Sequence, residues 1–99
     1  MAIVQQVLID GLIKYMDNFM TKGRVKLNGE YVQYSIFKTV IEGNVLRKYI
    51  YLDTEVGKVE EAQLLSDNGD VLAIKPSNIT KKDDGLVLAF EFTVMVREG

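Results

Sequence analysis

The sequence predicts an α+β, β-rich domain in which an N-terminal helix packs on an antiparallel β-sheet curled into a sandwich or a partly open barrel. Three observations lead to this prediction. Polar residues in the first quarter of the chain recur at helical spacing among apolar ones, and after Gly23 the spacing changes to the two-residue alternation of strands. Turn dipeptides then separate short apolar runs. We expect residues 1–99 to form a single domain, because this length suits one modest core.

Residues 2–22 are predicted to form the helix, and Gly23 is predicted to cap its C-terminus. One polar stripe follows the helix at spacings of four, four and three residues, through Gln6, Asp10, Lys14 and Asp17. Apolar residues fill most of the remaining circumference, although a helix resting on one sheet needs a stripe only about 100° wide. The helix therefore either lies in a deep groove or turns a second face toward another subunit. The candidate subunit interface consists of Val4, Leu8, Leu12, Met16 and Phe19.

Strands are predicted over the segments 24–28, 31–42, 45–52, 58–65, 71–75 and 86–97. The turns between apolar runs are predicted at four dipeptides whose residues tolerate the positive φ of tight hairpins: Asn28-Gly29, Gly43-Asn44, Asn68-Gly69 and Asp84-Gly85. Pro76 has no backbone N–H, so it is predicted either to end its strand or to lie at a sheet edge, with residues 76–84 forming a polar connection.

The last predicted strand has the clearest alternation in the sequence. Every second residue is apolar, and this set is predicted to face the core: Leu86, Leu88, Phe90, Phe92, Val94 and Val96. A strand of this length is expected to cross the whole sheet. At a sheet edge it would also be able to pair with a neighbouring chain.

The composition excludes several kinds of chemistry. The chain has no histidine and no cysteine, so Ser–His and Cys–His nucleophiles and imidazole or thiolate metal sites are impossible. Carboxylate pairs remain, of which Asp67 and Asp70 flank a dipeptide typical of a hairpin turn, while Glu60 and Glu61 would point to opposite faces of a strand. We therefore predict a protein that is not an enzyme, with no catalytic, cofactor-binding or metal-binding residues.

The charge pattern and the hydropathy limit the kinds of partner. The net charge is −2 and no basic stripe is present, which disfavours nucleic-acid binding. The sequence has no run of 18 apolar residues, the length needed to span a membrane, so no membrane partner is expected. The first apolar stretch follows no basic segment, and we expect no signal peptide.

A second candidate site lies on the predicted strand 45–52. Arg47, Tyr49 and Tyr51 alternate and so share one face of the sheet. Such a face can stack sugars or bases, which would make the domain a small binding module for a peptide or a carbohydrate. Tyrosines on a half-exposed sheet also commonly cover apolar surface while their hydroxyl groups face water. Both interpretations of this face remain open from the sequence.

The stretch from Val59 to Val96 resembles the latter part of the tail-attachment domain of phage tail-collar and tail-fibre proteins. That family has a strand containing Glu and ending in Leu, an acidic-Gly turn, an apolar strand, a Lys/Pro connection and a long alternating strand. The matching features here are Glu61, Leu64-Leu65, Asp67-Asn68-Gly69, Leu72-Ala73-Ile74, Lys75-Pro76 and the segment 86–96.

The resemblance implies a non-enzymatic structural or assembly protein of a phage or prophage tail, baseplate or fibre junction. It further implies contacts with other virion proteins and a location in the virion or in the bacterial host cytoplasm. Independently of the resemblance, the excess apolar surface of the helix predicts self-association into a homo-oligomer. Members of that family continue into a shaft and a receptor-binding tip, whereas this sequence ends at Gly99. The expectation is therefore a baseplate or fibre-junction subunit.

Overall fold

A computed structural model, which describes residues 4–97, confirms the predicted fold class: one helix packs on two antiparallel sheets that form a partly open sandwich. The elements are α1 (Gln6–Phe19), β1 (Lys22–Leu27), β2 (Glu30–Ser35), β3 (Lys38–Glu42), β4 (Val45–Leu52), β5 (Gly57–Leu65), β6 (Val71–Lys81) and β7 (Leu86–Thr93). The four-stranded sheet has the order β2-β1-β5-β6, and the three-stranded sheet has the order β3-β4-β7.

The core lies between the two sheets and is closed by one side of α1. Fully buried side chains from both sheets meet there, and α1 adds Ile9 and Ile13. The central residues are Val25, Leu46, Ile50, Leu52, Val59, Ala62 and Leu64.

The alternation predicted for the last strand is confirmed. Leu88 and Phe90 are buried, and the other members of the apolar set pack against the core as half-buried residues. β7 is an edge strand of the three-stranded sheet. Regular pairing with β4 ends at Thr93, so the strand is shorter than the predicted 86–97.

The single strand predicted over 31–42 is wrong. It is divided into β2 and β3, which belong to different sheets, and the chain crosses between the sheets at Ile36 and Phe37. The pairing of β2 with β1 ends at Ser35, and the Phe37 N–H donates to the Tyr49 carbonyl at 2.8 Å as the chain joins the other sheet. No glycine or proline marks this crossover in the sequence.

The prediction that Gly23 caps the helix is also wrong. The helix ends at Phe19, and the next residue, Met20, is extended and donates its N–H to the Met16 carbonyl at 3.0 Å. Gly23 instead lies inside β1, where a Cβ atom would come within 2.5 Å of the Ile50 Cδ1. Its missing side chain lets the two sheets approach each other at this point.

Three of the four predicted turns are confirmed as hairpins. Asn28-Gly29, Gly43-Asn44 and Asn68-Gly69 connect antiparallel neighbours, and each contains a residue with positive φ. Asp84-Gly85 is not a hairpin, because β6 and β7 lie in different sheets. A Cβ at Gly85 would come within 2.5 Å of the Tyr51 hydroxyl, so the absence of a side chain at this glycine leaves space for the Tyr51 ring.

Pro76 lies within β6, and the second of its two predicted positions, at a sheet edge, is confirmed. An edge strand tolerates proline because one side of the strand makes no ladder hydrogen bonds. Pro76 is opposite Glu61, where the register with β5 shifts. The polar connection predicted over 76–84 is therefore wrong for 76–81, which continue the strand.

Two buried lysines fix the connections between the layers. Lys48 points inward from β4, forms an ion pair with Asp17 and donates a hydrogen bond to the Asp17 carbonyl at 3.1 Å, which ties the end of α1 to the three-stranded sheet. Lys81 lies at the end of β6 with only 3% of its surface exposed. Its ammonium donates to three backbone carbonyls, two of them in the crossover between β4 and β5. Each buried cation is thus satisfied by oxygen atoms.

The same crossover is held from β2 by a hydrogen bond that we expect to depend on pH. The Tyr34 hydroxyl donates to a Glu55 carboxylate oxygen at 2.8 Å. Burial, followed by this contact with Glu55, raises the pKa of Tyr34 from 10.0 to about 12, while the hydrogen bond from Tyr34 lowers the pKa of Glu55 below 4.5. A raised folded-state pKa stabilises the protein below pH 10, and this contribution disappears as the pH rises through about 12.

We therefore expect unfolding midpoints of the wild-type protein to fall between pH 10 and about 12 more steeply than those of Tyr34→Phe. The variant keeps the ring but has no proton to lose. Urea unfolding across this range measures the difference between the two proteins. Parallel curves would contradict the assignment of this titration to Tyr34.

Candidate subunit interface

α1 has two apolar faces, of which one is buried and the other is largely exposed in the described chain. Ile9 and Ile13 are buried against the sheets. The other face is exposed and forms what we call the α1 stripe, made of Val7, Leu8, Leu12, Tyr15 and Phe19, with Gly11 in its middle. Within residues 4–97, α1 therefore does not lie in a deep groove, which was one of the two alternatives posed by the sequence.

Of the five residues predicted as the interface, four lie on α1, whereas Val4 precedes the helix, which begins at Gln6. Leu8, Leu12 and Phe19 belong to the α1 stripe, whereas Val4 and Met16 are half-buried and pack against the core. A surface formed by α1 would therefore use the first three, with Val4 and Met16 positioning the helix beneath them.

The two most exposed apolar residues of the stripe were not among those predicted. Val7 is 81% exposed and Tyr15 is 68% exposed. Each residue advances about 100° around a helix, so Tyr15 is about 200° from Ile13 and points away from the core. Helical spacing identifies Val7 and Tyr15 as exposed only if Ile13 is known to face the core. Spacing alone does not show which face of the helix is buried, because the helix is apolar on most sides.

The apolar surface continues beyond the helix. Leu8, Gly11 and Leu12, together with Val7, line a shallow, open groove on the surface of α1 itself. At the other end of the stripe, the Tyr15 and Phe19 rings pack 5.6 Å apart. They border a second groove of about 240 Å³, which extends to β6 and β7 and is lined by Tyr15, Met16, Phe19, Met20, Leu72 and Phe92. The exposed apolar area thus runs from the start of α1 to the open side of the sandwich.

Gly11 lies at the centre of the stripe, and nothing in the described chain requires a glycine at this position. A Cβ at this position would meet nothing within 4 Å, and the residue is in regular helix. Glycine within a helix costs about 1 kcal/mol relative to alanine. A residue that weakens the helix and leaves a gap in an apolar face allows another backbone to come close.

Charged and polar groups border one side of the stripe. Asp10 accepts a hydrogen bond from the Gln6 side chain at 2.9 Å, and Lys14 is exposed one turn further along. Asp17, the next residue of the polar row, is occupied by Lys48. Asp10 and Lys14 are thus the charges that a molecule on the stripe would meet.

The alternative site on β4 is present as one face of the sheet, but its charged residue, Arg47, is already paired within the chain. Arg47 donates to Glu91 at 2.8 Å and lies 3.7 Å from a Glu42 oxygen, so its guanidinium is shared between two carboxylates. Tyr51 packs its ring 5.2 Å from that of Phe37, and Tyr49 is half-buried. The sequence placed the three residues on one face, which is confirmed, but it did not bring in Phe37, whose position depends on the crossover between the sheets.

The carboxylate pairs do not converge. In residues 4–97 no group of three or more acidic side chains is arranged to hold a metal ion. Asp67 and Asp70 lie in the β5–β6 hairpin turn, as predicted, where the Ser66 N–H donates to the Asp70 carbonyl at 3.0 Å. Glu61 accepts hydrogen bonds from the side chains of Tyr31 and Gln63, which accounts for its presence on the sheet.

Comparisons with known proteins do not identify a relative. No family model, no curated protein and no solved structure matches the chain. Over residues 4–97, no helix is both long enough and apolar enough to cross a membrane.

Proposed function

We propose that this protein is a non-enzymatic assembly subunit that associates with further copies of itself, within a phage or prophage tail, baseplate or fibre junction. The observation that carries the proposal is the α1 stripe, an apolar helix face that the described chain leaves uncovered. The proposal includes contacts with other virion proteins and a place in the virion or in the cytoplasm of the bacterial host.

The physical support is the cost of leaving this surface in water. Five large apolar side chains of one helix are exposed together, and the groove beside Met20 extends the patch toward β7. Contiguous apolar patches of this kind mark interaction sites, and permanent subunit interfaces resemble a core cut in half. Burying the stripe against another subunit would remove it from water.

The phage assignment is supported by the resemblance over Val59 to Val96. This stretch folds as the β5–β6 hairpin followed by the edge strand β7, and Lys75-Pro76, which form a connection in the family pattern, lie within β6 here. The genes on either side of the one encoding this chain test the assignment directly. Tail, baseplate or lysis genes would support it, and ordinary metabolic genes would remove it.

Replacing Val7 by glutamate is expected to weaken self-association at least about tenfold, because a carboxylate would have to lose its water in the centre of an apolar contact. The substitution should not harm the isolated fold. Val7 is exposed, and an acidic residue in the first turn of a helix that has none is favourable. Sedimentation velocity over a concentration series measures the change.

Val56→Glu is the matched control for this experiment. Val56 is also a strongly exposed valine, at 59%, but it lies outside α1, in the connection between β4 and β5. We expect this variant to associate like the wild-type protein. Equal weakening by both substitutions would show that general charge, and not the α1 stripe, governs association.

The second candidate function is a small binding module for a peptide or carbohydrate on the face of Arg47, Tyr49 and Tyr51. The exposed Phe37–Tyr51 ring pair favours it, since ring faces of this kind stack on planar or apolar ligand surfaces. The internal pairing of Arg47 with two carboxylates weighs against it, because a polar ligand would first have to displace Glu91. We therefore place this function second.

A further inference from the structure

The α1 stripe has a symmetry that specifies what covers it. We propose that its occupant is the α1 stripe of a second copy of this chain, with the two helices antiparallel and related by a two-fold axis that passes close to Gly11. This inference rests on the proposed self-association and adds the surface, the orientation and the point of contact. The most common arrangement of homo-oligomers is a two-fold pair in which the same patch serves both subunits.

The first support is the arrangement of side-chain size around Gly11. In an antiparallel pair centred there, a residue four positions before the glycine faces the residue four positions after it. Val7 of one helix would therefore lie against Tyr15 of the other, and the pairing would occur twice. These are the two most exposed apolar residues of the stripe, and a small side chain would face a large one.

The second support is Gly11 itself. Two helices can approach closely only where side chains do not separate their backbones, and a glycine provides such a place. Here the space above Gly11 is open, with nothing within 4 Å of a Cβ. Leu8 and Leu12 border this gap and line the same groove, so they would pack around the crossing point.

The third support is the charge beside the stripe. Asp10 and Lys14 are one turn apart on the same border of the helix. In an antiparallel pair, Asp10 of each chain would approach Lys14 of the other, which is favourable. In a parallel pair related by a two-fold axis along the helices, this border would instead lie beside the opposite, apolar border of the partner's stripe, and both charges would lose their partners. The charge pattern therefore selects the antiparallel orientation.

Disulfide cross-linking tests the orientation, because the chain contains no cysteine and any introduced thiol is unique. The experiment uses Val7→Cys, Tyr15→Cys and an equimolar mixture of the two, in a glutathione redox buffer, with products read by mass spectrometry. We expect the mixed Val7→Cys/Tyr15→Cys dimer to form at least about tenfold faster than either same-site dimer, because only the mixed pair places the two sulfur atoms within bonding distance.

The other outcomes separate the failure of this inference from the failure of the proposed function. Same-site dimers that form as fast as the mixed dimer would overturn the antiparallel pairing. Slow cross-linking in all three samples, together with a dimeric mass in light scattering, would overturn pairing through α1 and leave self-association in place. Slow cross-linking with a strictly monomeric mass would overturn both.

Gly11→Leu provides a second test that does not depend on thiols. Leucine is a better helix former than glycine, and the space around Gly11 is open in the single chain, so the fold should be retained. The added side chain would hold the two backbones apart, and we expect association to weaken at least about tenfold. Unchanged association, measured by sedimentation equilibrium, would place the contact elsewhere.

Discussion

Replacing Lys81 by methionine is expected to lower the free energy of unfolding by about 3 kcal/mol, because buried carbonyls that lose a charged donor keep their desolvation cost. The Lys81 ammonium donates to the carbonyl oxygens of Asp53, Glu55 and Lys82 at 2.6, 2.5 and 2.8 Å. Methionine fills similar space but donates nothing. Urea unfolding followed by far-ultraviolet circular dichroism measures the loss.

Lys82→Met is the matched control, since it changes the same residue type at the neighbouring position. The Lys82 side chain is exposed, and its backbone carbonyl remains available to Lys81. We expect its effect to stay within about 0.5 kcal/mol. If the two variants were equally stable, the carbonyl cage around Lys81 would contribute nothing beyond a surface lysine.

Gly23→Ala is expected to lower the free energy of unfolding by about 2 kcal/mol, because the new methyl group would overlap the side chain of Ile50. The Cβ would lie 2.5 Å from Cδ1 and 2.9 Å from Cγ1 of Ile50, and Ile50 is fully buried between the sheets. The neighbouring atom is therefore confined and has little room to move away.

A double-mutant cycle with Ile50→Ala isolates this contact. Ile50→Ala alone is expected to cost about 2–5 kcal/mol through the cavity that it leaves. In the double variant the alanine at position 23 enters part of that cavity, so its cost should be at least about 1 kcal/mol less than the sum of the single costs. Additive costs, measured by chemical denaturation, would contradict a direct clash between these two positions.

The parts of the fold that were predicted correctly depend on neighbours in the sequence. Asn28-Gly29 adopts positive φ and joins two strands because those residue types tolerate that conformation wherever they occur. The bounds of β4 and the inward face of β7 likewise follow from short apolar runs and alternation. In each case the physical cause acts within about ten residues.

The parts that were missed depend on contacts between distant segments. Gly23 has the local features of a helix cap, and only its position opposite Ile50 shows that it permits two sheets to approach. The crossover at Ile36 and Phe37 has no local marker, because the division follows from which strands find partners in which sheet. Pairing across a sandwich is not encoded in the spacing of one segment.

The candidate interface has one feature that the local sequence predicts and one that depends on contacts between distant segments. Its excess of apolar surface was visible in the sequence, and so was the need for a second contact. Which apolar residues turn outward was not, because that depends on how α1 rests on the sheets through Ile13 and the Lys48–Asp17 ion pair. Val7 and Tyr15 entered the site only once this orientation was known.

The central claim is that the α1 stripe is covered by another subunit, and the molar mass of the wild-type protein in solution tests it most directly. Light scattering coupled to size-exclusion chromatography, over a range of loading concentrations, gives that mass without a ligand or a label. We expect a multiple of the chain mass of 11.2 kDa, and we expect Val7→Glu to return it toward a single chain. A wild-type mass of 11.2 kDa at every concentration would contradict the claim.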